Sequence, residues 1–350
     1  MQRLEPIRKS WLIWLILAAS AAAFAVLVLT DDDAPAQKRP RETEPPPHRQ
    51  AAAEWHGQIA VAVPANGVDP SLVEVATPER RERAVIYRAP SFQSIRDLAW
   101  SPDGARLAVV VGTRTGSAHV LVMQATGDDV TMVTHGSAVT STSVAWSPDG
   151  QLLAYDLGSA AHPHRGSPLV VSRTDGSHRR AVTPRRTFAI APSWSPDGSR
   201  IAFVSAAAPG DFTDRDGAVE VVPAGGGTPR TLSREYHGHD PVWSLEGRGV
   251  VFASTWISGQ GLAEVAARPR SRVFLAFDCS RTLKCETIGR PTFAPGAGAF
   301  GFIMTVDHPA RAIVSLARHG ATTDSVPVLR FPLYTCCLTW WTPPPGQTAV

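Results

Sequence analysis

The sequence predicts an all-β fold, a six-bladed β-propeller with four-stranded blades, carried behind one N-terminal membrane-spanning helix. Three observations predict it. A turn phrase recurs at a near-constant interval through the chain. Short β-branched runs fill each interval between Gly, Pro and Asp punctuation. The two ends of the repeat array each lack the part that the other supplies.

The phrase is Trp100-Ser101-Pro102-Asp103-Gly104, then Trp146-Ser147-Pro148-Asp149-Gly150, then Trp194-Ser195-Pro196-Asp197-Gly198. It decays to Trp243-Ser244-Leu245-Glu246-Gly247, to Phe293-Ala294-Pro295-Gly296 and to Trp341-Thr342-Pro343-Pro344. The spacings between the aromatic positions are 46, 48, 49, 50 and 48 residues. A fixed period of this length, with one turn per period, marks a repeat array, and four strands per period make propeller blades. Pro fixes φ, Asp caps its own turn and Gly accepts a positive φ, so Ser-Pro-Asp-Gly is turn chemistry. The aromatic residue closes the innermost strand, where a large side chain fills the wedge between blades.

Residues 55–99 hold three strand-like runs, Gln58–Val63, Leu72–Ala76 and Arg83–Arg88, with no phrase before them. The C-terminus has the phrase at Trp341 and no length for further strands. The last blade is therefore expected to combine one C-terminal inner strand with three N-terminal strands, which leaves no open edge at the seam.

Residues 1–54 stand apart from the repeats. Residues 1–10 form a basic cytoplasmic end with Arg3, Arg8 and Lys9. Residues 11–30 are a continuous apolar run whose length suits a bilayer core, and Asp31, Asp32 and Asp33 follow it. This predicts a signal anchor with the N-terminus inside and the propeller, residues 55–350, in the extracytoplasmic space of a bacterial envelope. The alternative is a secreted protein cleaved near Ala36, although the apolar run is longer than the usual signal-peptide core. Residues 31–54 read as a Pro-rich linker. The formal net charge of +3 over 350 residues argues against a nucleic-acid surface.

The phrase Trp-Ser-Pro-Asp-Gly-x-x-Ile-Ala-Phe, clearest at Trp194–Phe203 and followed by Asp214-Arg215-Asp216-Gly217 before Val219-Glu220-Val221, resembles the TolB-like six-bladed propeller repeats. The resemblance covers about residues 55–350. It implies the fold and a binding or accessory role, since such propellers serve as platforms, as accessory domains of peptidases and as parts of envelope machines. The α/β domain preceding the propeller in TolB itself has no counterpart in residues 31–54, so the partnership of TolB itself is not carried over.

The residue three before each repeat aromatic starts the lining of the axis: Asp97, Ser143, Ala191, Asp240, Arg290 and Leu338. Asp97, Ser143, Asp240 and Arg290, with His237 and His239, are the candidate ligand-binding residues at the channel mouth. Their competing role is that of solvated charges at a wet channel. His162-Pro163-His164 and Asp211–Gly217 are weak metal patterns, and the second misses calcium-loop spacing by one position. No metal and no cofactor is expected. Cys279 and Cys285 are expected to flank an outer hairpin turn and to form a disulfide outside the cytoplasm. Cys336 and Cys337 are adjacent in the last inner strand, either a vicinal disulfide or free packed thiols. No Gly-x-Ser-x-Gly, His-Glu-x-x-His, Walker or Rossmann pattern occurs. The reading is a non-enzymatic platform for an envelope or membrane protein. The alternatives are a metal-dependent hydrolase or lyase and the sensor subunit of a signalling complex.

Overall fold

A computed structural model describes residues 57–65, 69–77, 82–113, 116–137, 139–206, 217–233, 238–256, 259–267, 273–278, 285–294, 299–307, 310–318, 325–331 and 336–341. The expected membrane span at 11–30 and the linker at 31–54 lie outside these residues.

Among the described residues the strands form six four-stranded sheets and one small two-stranded sheet, Val139–Thr140 with Gly158–Ser159. The inner strands of blades 1 to 5 are Gln93–Trp100, Val144–Trp146, Phe188–Trp194, His239–Trp243 and Cys285–Ala294. In each of these blades three further strands follow outward in chain order, all antiparallel. Blade 6 pairs Cys336–Trp341 with Gln58–Pro64, then Pro70–Thr77 and Glu82–Arg88. The expected closure by both chain ends is thus observed. Each inner strand packs against the next, and that of blade 6 packs against that of blade 1.

The core lies between blades. Trp100, Trp146, Trp194 and Trp243 are buried in clusters that draw side chains from their own blade and the preceding one. Trp146 packs with Ala108 and Val110 of blade 1 and with Leu153 of blade 2. Its Nε1 donates to the Ala99 carbonyl at 2.9 Å, and the Arg106 guanidinium lies 4.7 Å from its ring centroid. Arg200 repeats that contact over Trp243 at 4.6 Å. A cation over an indole adds to burial, so the wedges at Trp146 and Trp243 are held by area and by electrostatics.

Two expectations are corrected. Trp100 pairs with Leu107, Trp146 with Leu153 and Trp194 with Ile201, and the equivalent partner in blade 6, Ile59, pairs with Trp340. The sixth repeat position is therefore Trp340, and Trp341 pairs one residue further on, with Gln58. The hydrogen bond from Trp100 N–H to Thr339 Oγ1 (3.2 Å) agrees, because Ser193, the residue before Trp194, accepts from Trp243 N–H in the same way at 3.2 Å. The second correction concerns Cys279 and Cys285. Val273–Asp278 is the outermost strand of blade 4, and Cys285 begins the inner strand of blade 5. The segment between them connects two blades and is not an outer hairpin turn. Blade 4 makes that outer turn earlier, between Ala266 and Val273, where the sequence carries no Asp-Gly signal.

Candidate channel site

All inner strands run in the same sense around the ring, so their first residues share one rim and the Ser-Pro-Asp-Gly turns share the other. Close to its start each long inner strand carries a β-bulge, between Ile95 and Asp97, Ile190 and Ser193, His239 and Val242, and Gly289 and Thr292. Blade 6 has the same shift beside Cys336. Ala191, Asp240 and Cys337 occupy equivalent bulge positions and have φ of 50°, 49° and 61°. Bulges bend a strand and re-aim its side chains, and they recur beside functional sites.

The bulges surround an axial cavity of about 290 Å³ to which all six inner strands contribute. Its polar wall includes Asp97, Ser193, Asp240, Thr292 and Thr339. Pro192, Pro241 and Pro291 stand at the same point of blades 3, 4 and 5. Proline supplies a carbonyl and no N–H, so these three blades offer no backbone donor at that level.

The sequence-derived candidates divide. Asp97 lines the cavity but is only 5% exposed, and its Oδ2 accepts the Val144 N–H at 2.9 Å. Ser143 is buried and does not reach the cavity wall; its Oγ accepts from Ala191 N–H (2.8 Å) and donates to Asp156 Oδ1 (2.9 Å). Both side chains therefore fasten their blade to the next. Asp240 lines the cavity and keeps its side chain 20% exposed. His239 Nδ1 lies 3.2 Å from Asp240 Oδ2, and the His239 side chain is 39% exposed. Gly289 of blade 5 makes room for this pair, since a Cβ there would sit 3.3 Å from Asp240 Oδ2 and 3.8 Å from His239 Cε1. Arg290 occupies the blade 5 bulge next to Pro291. His237, Cys279 and the Asp211–Asp216 stretch lie outside the described residues. His162 and His164 are exposed on the outer part of the same rim, in and beside a short 3₁₀ turn. Among the described residues no group of three or more His, Cys, Asp and Glu is placed to hold a metal ion. Cys337 is buried and disulfide-bonded, and its Sγ lies 3.0 Å from the Arg96 carbonyl oxygen.

One group near this rim was not read from the sequence. Asp156 is buried at the end of the second strand of blade 2. Its carboxylate accepts from Thr142 N and Oγ1, from Ser143 N and Oγ, and from Ser167 Oγ, at 2.9 to 3.1 Å. Burial pushes its carboxyl above the usual carboxylate range, opposed by the bonds from Thr142 and Ser143. Arg96 bridges from blade 1 to the Thr113 and Ser141 carbonyls. Burial draws its guanidinium down, and the Asp156 charge opposes that. The cluster ties the blade 1–2 connection to both blades. Its one sequence signal is a carboxylate where blades 1 and 3 carry Val110 and Val204.

The geometry defines a class, a six-bladed propeller closed by both chain ends around a narrow axial cavity. Residues 72–280 match the TolB beta propeller domain family, and the chain belongs to that family. Among solved structures it is similar to TolB from Acinetobacter baumannii, at 15% identity and a TM-score of 0.59, over 82% of this chain and 67% of that one. A chain described as a TolB from Agrobacterium tumefaciens is 16% identical with a TM-score of 0.55, over 79% of this chain and 89% of that one. A chain from a nidogen–laminin complex reaches 0.57 at 12% identity, covering 81% and 97%. At such identities the likeness establishes the fold. No curated protein matches the chain.

Proposed function

We propose that this protein is a non-enzymatic binding platform, tethered to the envelope membrane by residues 11–30 with its propeller on the extracytoplasmic side, and that it receives a partner at the channel mouth beside His239 and Asp240. The observation that carries the reading is the cavity of about 290 Å³ shared by all six inner strands. That volume lies at the lower end of small-ligand pockets, so it admits one side chain, a chain terminus or a small ligand and not a folded domain. A protein partner would present such a group and rest on the surrounding rim. Ser143 and Asp97 hold the blades in place around that opening, while His239 and Asp240 face whatever enters.

In vivo cross-linking of the full-length protein from its native membrane, followed by mass spectrometry, tests this. The same envelope protein should be recovered repeatedly, and Asp240→Lys should reduce its recovery at least tenfold while the chain stays in the membrane fraction after alkaline extraction. Recovery unchanged by Asp240→Lys overturns the channel reading. Release of the chain by alkaline extraction overturns the tether.

A further inference from the structure

We infer that the rim on which the inner strands begin is a docking face for an anionic phospholipid surface, through Arg165, Arg185 and Arg186 with Phe92 as an apolar wedge. The inference uses the outer part of the rim and does not depend on a channel ligand or on a tether.

The first observation is charge. Arg165 lies between the second and third strands of blade 2, and Arg185 and Arg186 lie in the connection from blade 2 to blade 3. The two loops are held together. Ser167 N–H donates to the Thr187 carbonyl at 2.9 Å, and Ala189 N–H donates to the Ser167 carbonyl at 2.9 Å. Gly166, with φ of 102°, lies so close that a Cβ would stand 2.4 Å from the Arg185 carbonyl oxygen. All three arginines are exposed, as are His162 and His164 beside them. None of the three arginines has an acidic partner among the described residues. The exposed acid described on this rim, Asp69, belongs to blade 6. Three unpaired guanidinium groups on neighbouring loops form a site for phosphate oxygens.

The second observation is independent. Phe92 is 98% exposed and has φ of 65°. It is the third residue of a turn closed by Gln93 N–H to the Pro90 carbonyl at 3.0 Å. Glycine or asparagine normally fills such a position, because a side chain there clashes with the backbone. Here a large aromatic residue takes the strain and buries nothing in return. Strain of this kind collects at functional positions. Phe92 sits in the blade 6–1 connection, on the same rim as the arginines, four residues after exposed Arg88. A free phosphate could meet the arginines but not Phe92 as well. A phospholipid surface meets both, since cations bind its headgroups while an aromatic ring enters the interface.

The test uses the full-length chain with nanodiscs, in which a tethered chain embeds and an untethered chain binds from solution. Amide exchange is read at residues 88–93, 162–167 and 184–187. Discs containing phosphatidylglycerol should slow exchange there relative to phosphatidylcholine discs. Each arginine replaced by Ala should lower the docked-to-free ratio about fivefold, and all three together roughly a hundredfold. Phe92→Gly should lower docking while leaving the melting temperature equal or higher, because glycine relieves the φ strain. Equal exchange on both disc types overturns the inference. So does soluble polyphosphate that protects the rim on its own while Phe92→Gly leaves docking unchanged, and so does protection that appears only with an acidic protein.

Discussion

The two rims of this ring are built by opposite rules. On the turn rim the same small network is made three times. Ser101, Ser147 and Ser195 each donate from Oγ to the Asp two residues on, at 2.5, 2.5 and 2.6 Å. The same Oγ accepts the N–H five residues on, at 2.9 Å in every copy. The glycines that follow, Gly104, Gly150 and Gly198, have φ of 69°, 68° and 69°. On the entrance rim the equivalent positions are Asp97, Ala191, Asp240 and Arg290, each in or beside a bulge, and Ser143, just before the short unbulged strand of blade 2; they share no chemistry. One rim repeats the turn that ends the inner strand; the other varies from blade to blade, with Asp97 and Ser143 fastening one blade to the next and Asp240 left partly open. The proposed recognition site lies at the entrance, and four substitutions, from the largest expected effect to the smallest, break or sharpen that division.

Trp146→Ala should cost most, about 3–5 kcal/mol of unfolding free energy. It empties a wedge in which Trp146 is only 7% exposed and removes the bond to Ala99 and the Arg106 contact. Urea denaturation of the purified chain measures it. A loss below about 1 kcal/mol, in the range of ordinary surface substitutions, would mean that the aromatic repeat does not hold the blades together and would break the comparison.

The same division sets what could be read from the sequence. The repeat was legible because turn chemistry is local: Pro, Asp and Gly act within five residues, and the strands between them follow. Ring closure was legible because the missing strands at one end match the surplus at the other. The failures are non-local. Two adjacent tryptophans precede a decayed turn, and only pairing with Ile59 assigns the repeat position to Trp340. Cys279 and Cys285 were misplaced because the outer turn of blade 4 lacks its usual residues. Asp156 was missed because its donors come from three separate positions, Thr142, Ser143 and Ser167, that only the fold assembles. At the mouth the spacing picked out Asp97 and Asp240, which line the axial cavity. It could not tell Asp97 and Ser143, which grip the next blade, from Asp240, which stays partly open.

Asp97→Ala separates those two roles. It leaves the Val144 N–H, on a residue only 4% exposed, without its acceptor. An unsatisfied buried donor costs about 1–3 kcal/mol. Asp240→Ala removes a partly exposed side chain and should cost less. Thermal melts of the two variants side by side sharpen the comparison, and equal losses would show that the entrance residues are all structural.

The smallest effect is expected on the turn rim, from a single carboxylate. The Asp197 carboxyl is held down to about 2 from 3.8, first by the Ser195 hydroxyl and then by the Ser199 backbone and hydroxyl. Its folded pKa lies below its unfolded one, so the charged form is favoured by folding. The stabilisation is complete above about pH 4 and is lost as pH falls through about 2. Asp197→Asn should therefore lower stability at neutral pH, by less than about 1 kcal/mol because the group is largely solvated and screened. The gap between wild type and variant should close between pH 4 and pH 2. A gap that stays constant across that window would mean that the turn network works equally well with a neutral acceptor. The repeated aspartates would then matter for turn shape and not for charge.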